Sequence, residues 1–232
     1  MLTRLRKLLR PLRPILLPLW TPIRPYVENG IRETWRANHR RERVYRADAP
    51  IRPLTRAEYD AIAETHPYYR ARWNYMAAAA DEAGCLIEGG DLRSAIELGP
   101  HIQPLIVGAD VMDLRTNDEL VSYGQVVVHD ATKVPWPIED RRYDLFVALQ
   151  VFEHLKDKQP DAFREVRRVA RNAIISLPID WVMDDPTNCH HMLSNERALS
   201  WFAPVVPDRV VVGNGGRKKR LIYVFEGLQP PA

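Results

Sequence analysis

The sequence predicts an α/β protein with a doubly wound, mostly parallel sheet that closes in a C-terminal antiparallel hairpin. Three observations carry this. Five short apolar runs, Ala95–Leu98, Ala109–Met112, Gln125–Val128, Leu145–Leu149 and Ala173–Leu177, are continuous rather than alternating, as strands covered on both faces are. Helical periodicity surrounds them. The last twenty-five residues contain "DRVVVGNGGRKKRLIYVFEG", two strand-like runs joined by a Gly/Asn turn.

Each element has a local reason. In "LTRAEYDAIAE" Thr55 is an N-cap with Glu58 three residues on, a capping box. The helical pattern resumes in "RARWNYMAAAADEAG" and is expected to stop at Gly84. "PDAFREVRRVA" places Phe163, Val166 and Val169 on one face, and Ser194 caps a helix over 194–203 that carries Trp201. Only nine residues, Gly99 to Val107, separate the first two strands, so the crossover helix there is very short or absent.

Ahead of this domain lies a basic arm with a charged helix, residues 1–53, the domain itself being 54–232. Residues 1–46 hold twelve Lys/Arg and three Asp/Glu, a net of +9, so the other 186 residues carry 3 − 9 = −6. Prolines 11, 14, 18, 22 and 25 forbid a long regular helix. The uncharged run from Pro14 to Ile23 falls far short of the roughly 20 apolar residues that a spanning helix needs. Residues 1–25 suit contact with an anionic membrane surface, with arginines on headgroups and Trp20 inserted; packing against its own domain or a dimer mate, and plain disorder, are the competing readings. No aromatic-rich nucleic-acid motif accompanies the charge, so no nucleic-acid partner is expected. Cys85 and Cys189 lack the spacing of a disulfide framework or zinc finger, which suits a reduced, cytoplasmic chain, peripheral to the inner face of a membrane if the arm binds there.

Ligands of doubly wound sheets bind beyond the carboxyl ends of the strands. The residues there are Glu97 and Gly99 in "AIELGPHIQP", Asp113 in "ADVMDL", Asp130 in "HDATKVPWP", and Glu153-His154 in "LQVFEHL". A carboxylate after the second strand suits a ribose diol, since it accepts two hydroxyl hydrogen bonds.

With "VVVHDATKVPWPIEDRRYDLFVALQVFEHL" and "REVRRVARNAIISLP", these segments resemble class I S-adenosylmethionine-dependent methyltransferases of the type 11 branch, over about residues 68–226. The resemblance implies S-adenosylmethionine as cofactor. Glu97 and Gly99 would border its methionine part, Asp113 would hold the ribose, and Asp130 and the Ala131 backbone the adenine. Gln150 and Val151 would lie beside the transferred methyl. One departure stands out: where the family loop has a second glycine, this chain has His101, whose side chain either narrows the methionine pocket or points away from it.

The acceptor is expected to be a small molecule, a sugar or a lipid-linked glycan, methylated on oxygen. An alcohol needs a base, and histidine serves near neutral pH. His190 and His191, in "WVMDDPTNCHHMLSNERALSWF" after the fifth strand, are the candidates, His191 favoured for its nearness to the Ser194 cap. Capping or packing of the next helix competes with that role. No metal site is expected, because no HxxxH spacing occurs. Trp181, Trp201 and Phe202 read as core before pocket, and Arg141-Arg142 and Arg217–Arg220 as solvated turns. The alternatives are a non-catalytic relative that binds a partner through its arm, and an NAD-dependent oxidoreductase, which the missing GxGxxG and the hairpin disfavour.

Overall fold

The computed structural model describes residues 50–115, 120, 124–213 and 219–231. The arm, its helix over 26–47 and the hairpin tip at 214–218 therefore lie outside the described residues.

The chain enters through β1 (Arg52–Pro53) and α1 (Arg56–Thr65). Ile51 and Leu54 are already buried, and β1 pairs antiparallel with β3 (Ile106–Val107). Thr55 makes the expected capping box with Glu58. A 3-10 turn, Pro67–Tyr69, leads into α2 (Trp73–Gly90). That helix does not stop at Gly84. An interior glycine costs only about 1 kcal/mol, Leu86 is buried one half-turn later, and the bare Cα of Gly84 faces Pro53, where a Cβ would sit 3.6 Å from its ring. The stop comes at Asp91, in the left-handed conformation at φ 48°.

The remaining strands are β2 (Ala95–Leu98), β4 (Asp110–Asp113), β5 (Val126–Val128), β6 (Tyr143–Leu149), β7 (Ala170–Pro178), β8 (Arg209–Gly213) and β9 (Arg220–Phe225). They form one sheet in the order β5-β4-β2-β6-β7-β9-β8, the first five parallel, with β9 antiparallel to both β7 and β8. The predicted fold class is observed. No helix joins β2 to β4. One expectation fails: β5 is not covered on both faces, because it is the sheet edge, with Val128 52% exposed.

Helices α3 (Gln159–Val169) and α4 (Asn195–Phe202) cover the sheet, with Ser194 capping α4 through the Arg197 amide. Phe163, Phe202, Tyr223 and Phe225 meet there with ring centres 4.9–5.2 Å apart. Trp201 and Phe202 are thus core. The Arg168 guanidinium ties α3 to the preceding loop through Glu165, Asp140 and the carbonyls of Trp136 and Ile138. Arg141 is no solvated turn residue: its guanidinium donates to the carbonyls of Ala170 and Leu228, pinning the C-terminal segment. Among the described residues no helix is long and apolar enough to cross a membrane.

Candidate active site

Sheet register decides which residues meet. Leu98 aligns with Met112 on one side and Ala148 on the other, and Asp113 aligns with Val128. The next residues along each strand, Gly99, Asp113, Asp130, Ala131, Gln150 and Val151, therefore share the carboxyl edge of the sheet. All seven residues expected at a cofactor lie on or beside that edge.

Gly99 has φ +60° and its amide donates to the Met112 carbonyl at 2.9 Å. A Cβ there would come within 3.2 Å of Val151, so glycine lets the strand end pass that side chain. His101 adopts φ 68°, a backbone conformation that glycine favours. The histidine keeps the glycine-like turn and stacks its exposed ring on Tyr68, at 4.2 Å between centres and 12° between planes. Buried Tyr69 shapes the same loop: its hydroxyl donates to the Pro100 carbonyl and accepts from the Ile102 and Gln103 amides. Tyr68, Arg72, Tyr75, Gly99, His101 and Leu149 line a cleft that opens to solvent.

Glu97 is buried, and one oxygen accepts from the Leu105 amide at 2.6 Å and the Ile106 amide at 3.3 Å. It closes the loop beneath the cleft. Burial pushes its carboxyl up to about 8, outweighing the two donors. A carboxyl raised above its ordinary 4.5 stabilises the fold fully below that value and loses the contribution as pH rises through about 8. Urea unfolding should therefore show a lower midpoint near pH 9 than near pH 6, and Glu97→Gln should flatten the difference. Parallel pH profiles for the two proteins would assign the slope to another group.

Asp113 is half-buried, and one oxygen accepts from the Leu114 amide at 2.7 Å. Asp130 accepts from both the Thr132 amide and hydroxyl, which hold its carboxyl below the usual range. Ala131 is buried, its carbonyl taken by the Trp136 indole at 3.1 Å. Gln150, at φ 59°, donates to the Ser176 hydroxyl and accepts from the Arg220 guanidinium at 3.2 Å. The edge thus offers carboxylates for hydroxyl and amino donors, and a backbone turn at Ala131 for a flat ring. These residues fit an adenosyl cofactor.

Arg220 corrects a second expectation of a solvated side chain. It is sandwiched between Tyr75 at 4.2 Å and Trp181 at 4.6 Å, and desolvation lowers its pKa. Trp181 in turn lies 5.8 Å from the His190 ring. His190 Nε2 is 3.5 Å from Glu153, and the His154 ring is 4.9 Å away, edge-on. His191, the favoured base, has Nδ1 at 3.1 Å from both the amide and the carbonyl of Met183, which stitches the loop over 181–192 together. The structure thus brings His190, not His191, against a buried carboxylate. Tyr68, Arg72, Tyr75, Cys189 and Arg220 went unnoticed as site residues. The only signal for the first three was the "HPYYRARWNYM" cluster, which reads as ordinary helix filling; Cys189 and Arg220 lie outside it.

Residues 103–173 match the model of a family described as a methyltransferase domain. The bifunctional kinase-methyltransferase WbdD is similar in fold, with a TM-score of 0.51 at 14% identity, covering 70% of this chain and 43% of its own. NodS, an N-methyltransferase from Bradyrhizobium japonicum WM9 solved with S-adenosyl-l-homocysteine, aligns at 14% identity and TM-score 0.47 over 71% of this chain and 90% of that one. A SAM-dependent methyltransferase from Aquifex aeolicus aligns at 12% identity and TM-score 0.47 over 74% and 99%. A search of curated proteins finds no match.

Proposed function

We propose, for a chain that is a class I S-adenosylmethionine-dependent methyltransferase, that it methylates a hydroxyl of a small molecule, a sugar or a lipid-linked glycan. The observation that carries the acceptor reading is His190 facing the buried carboxylate of Glu153 at 3.5 Å, in a loop that overhangs the carboxyl edge of the sheet. When bound, the cofactor supplies an electrophilic methyl on a sulfonium. The protein's share is alignment and proton handling. Asp113 holds the ribose, and Asp130 with Ala131 holds the adenine. Gly99, Gln150 and Val151 line the path of the methionine, and Tyr68 closes over it to exclude water. His190, backed by Glu153, activates the acceptor hydroxyl. Arg220, wedged between Tyr75 and Trp181, places a cation where it can meet an anionic acceptor group.

Calorimetry tests the reading. S-adenosylhomocysteine should bind and NAD should not; binding of NAD alone, or of neither, overturns it. A second experiment concerns the basic arm, for which contact with anionic lipid is proposed from the sequence. Deleting residues 1–25 should abolish sedimentation with phosphatidylserine vesicles at low salt without lowering cofactor affinity, since each basic residue near such a surface contributes about 1 kcal/mol. A full-length chain that ignores those vesicles removes the membrane from the proposal.

A further inference from the structure

Beside the cofactor edge, two segments far apart in sequence converge. The 3-10 turn after β6, Phe152–His154, brings up His154, and the loop after β7 brings up Cys189 and His190. One ligand atom from each of the three lies within 4.8 Å of the others. Cys189 Sγ is 3.3 Å from His154 Nδ1. Two such atoms bound to one zinc ion at tetrahedral angles, with bonds of about 2.0–2.3 Å, stand about 3.5 Å apart. That edge is already at ligand spacing.

Behind the cluster is an unexplained group. Glu153 is buried, and neither of its oxygens has a hydrogen-bond partner among the described residues. His190 Nε2 lies 3.5 Å from its Oε1. An unsatisfied buried carboxylate is costly, and the usual solution in a histidine-ligated metal centre is a carboxylate beside the ligating ring, which the ion's charge stabilises. The loop is braced to hold such a centre: the Asn188 side chain accepts from the His190 amide at 2.9 Å, and Asp185 accepts from the Thr187 amide and hydroxyl.

We propose that His154, Cys189 and His190 bind a single divalent transition-metal ion of the zinc type, with Glu153 as the charge that completes the site. A thiolate and two imidazoles select zinc or cobalt over magnesium or calcium. His154 and Cys189 are exposed, so a position stays open for an oxygen ligand. The role in catalysis rests on the methyltransferase reading above: an acceptor hydroxyl at the open position loses its proton to solvent, and the alkoxide takes the methyl as the sulfonium becomes a thioether. His190 then acts on the acceptor through the ion. Metal binding itself does not depend on that role.

The test uses the full, untagged chain with Cys85→Ser, which removes the other thiol. After treatment with a chelator, the protein is titrated with cobalt(II). The expected result is one equivalent bound, with a near-ultraviolet thiolate-to-cobalt charge-transfer band that zinc abolishes. Cys189→Ser should lose the band, and His154→Ala and His190→Ala should weaken binding by about a hundredfold or more, exceeding the 10–100-fold typical of outer-shell groups such as Glu153→Gln. Far-ultraviolet circular dichroism confirms that each variant is folded. No band, or a band that survives Cys189→Ser, overturns the proposal and leaves Cys189 and His154 as a hydrogen-bonded pair. Chelation leaves S-adenosylhomocysteine affinity unchanged, so a failure here is distinguishable from failure of the methyltransferase reading.

Discussion

His190→Ala lowers kcat by about a hundredfold or more while S-adenosylhomocysteine affinity stays within about twofold. The imidazole is half-buried, its Nε2 faces Glu153, and its ring is flanked by Trp181 and His154. None of these contacts touches Asp113 or Asp130, so the ground-state complex with the cofactor product has no reason to change. The loss falls on kcat because activation of the acceptor is realised on the way to the transition state. His191→Ala behaves differently. Its Nδ1 meets the Met183 backbone, so the variant gives up one loop-stabilising hydrogen bond worth about 1 kcal/mol and shifts the thermal midpoint more than the turnover. Full turnover in His190→Ala on the true acceptor would move activation to another group, with His191 next. Chelation separates the two ways in which His190 can act: a free base is indifferent to it, whereas a ligated histidine is not.

Why the strands were legible and half of the site was not follows from how each is encoded. Strands β2, β6 and β7 bury both faces, so a continuous apolar run announces them. Gly99 follows β2 at once, and Asp113 and Asp130 end the apolar runs of β4 and β5, so a strand-end reading reaches these three, whereas Gln150 comes only from the family resemblance. The capping box at Thr55 and the cap at Ser194 are contiguous signals of the same kind. The aromatic cover over Gly99 has no local signature. Tyr68 sits on a three-residue turn, and its stacking partner His101 lies thirty-three positions away. Arg220 reads as part of a basic turn until β9 lays it between Tyr75 and Trp181. Cys189 and His154 meet across 35 residues, a distance that no ligand-spacing pattern spans. His101 is the instructive intermediate case. Its departure from the glycine pattern raised a doubt about the cofactor loop, yet φ 68° shows that the backbone keeps the glycine-like turn and only the side chain is new.

Asp113→Ala should weaken S-adenosylhomocysteine binding by about ten- to a hundredfold, the equivalent of roughly 1.5–3 kcal/mol for hydrogen bonds to a charged acceptor. The residue closes β4, in register with Val128 of β5 and one step beyond Met112, whose partner Leu98 precedes Gly99. On the proposed reading, the ribose of the cofactor lies against this carboxylate. One of its oxygens is steadied by the Leu114 amide at 2.7 Å, which fixes the carboxylate plane before any ligand arrives and limits the ordering cost of binding. Asp113→Asn separates charge from shape. The amide keeps one accepting oxygen but replaces the other with a donor, so a ribose that needs two acceptors loses about as much as with alanine, whereas one that needs one acceptor loses less. The fold should survive both changes, since Asp113 is half-buried and at the end of its strand. Calorimetry reads the affinities, and circular dichroism confirms the sheet. Affinity unchanged in both variants would remove Asp113 from the cofactor. It would also shift the ribose toward Asp130, the other strand-end carboxylate on this side of the sheet.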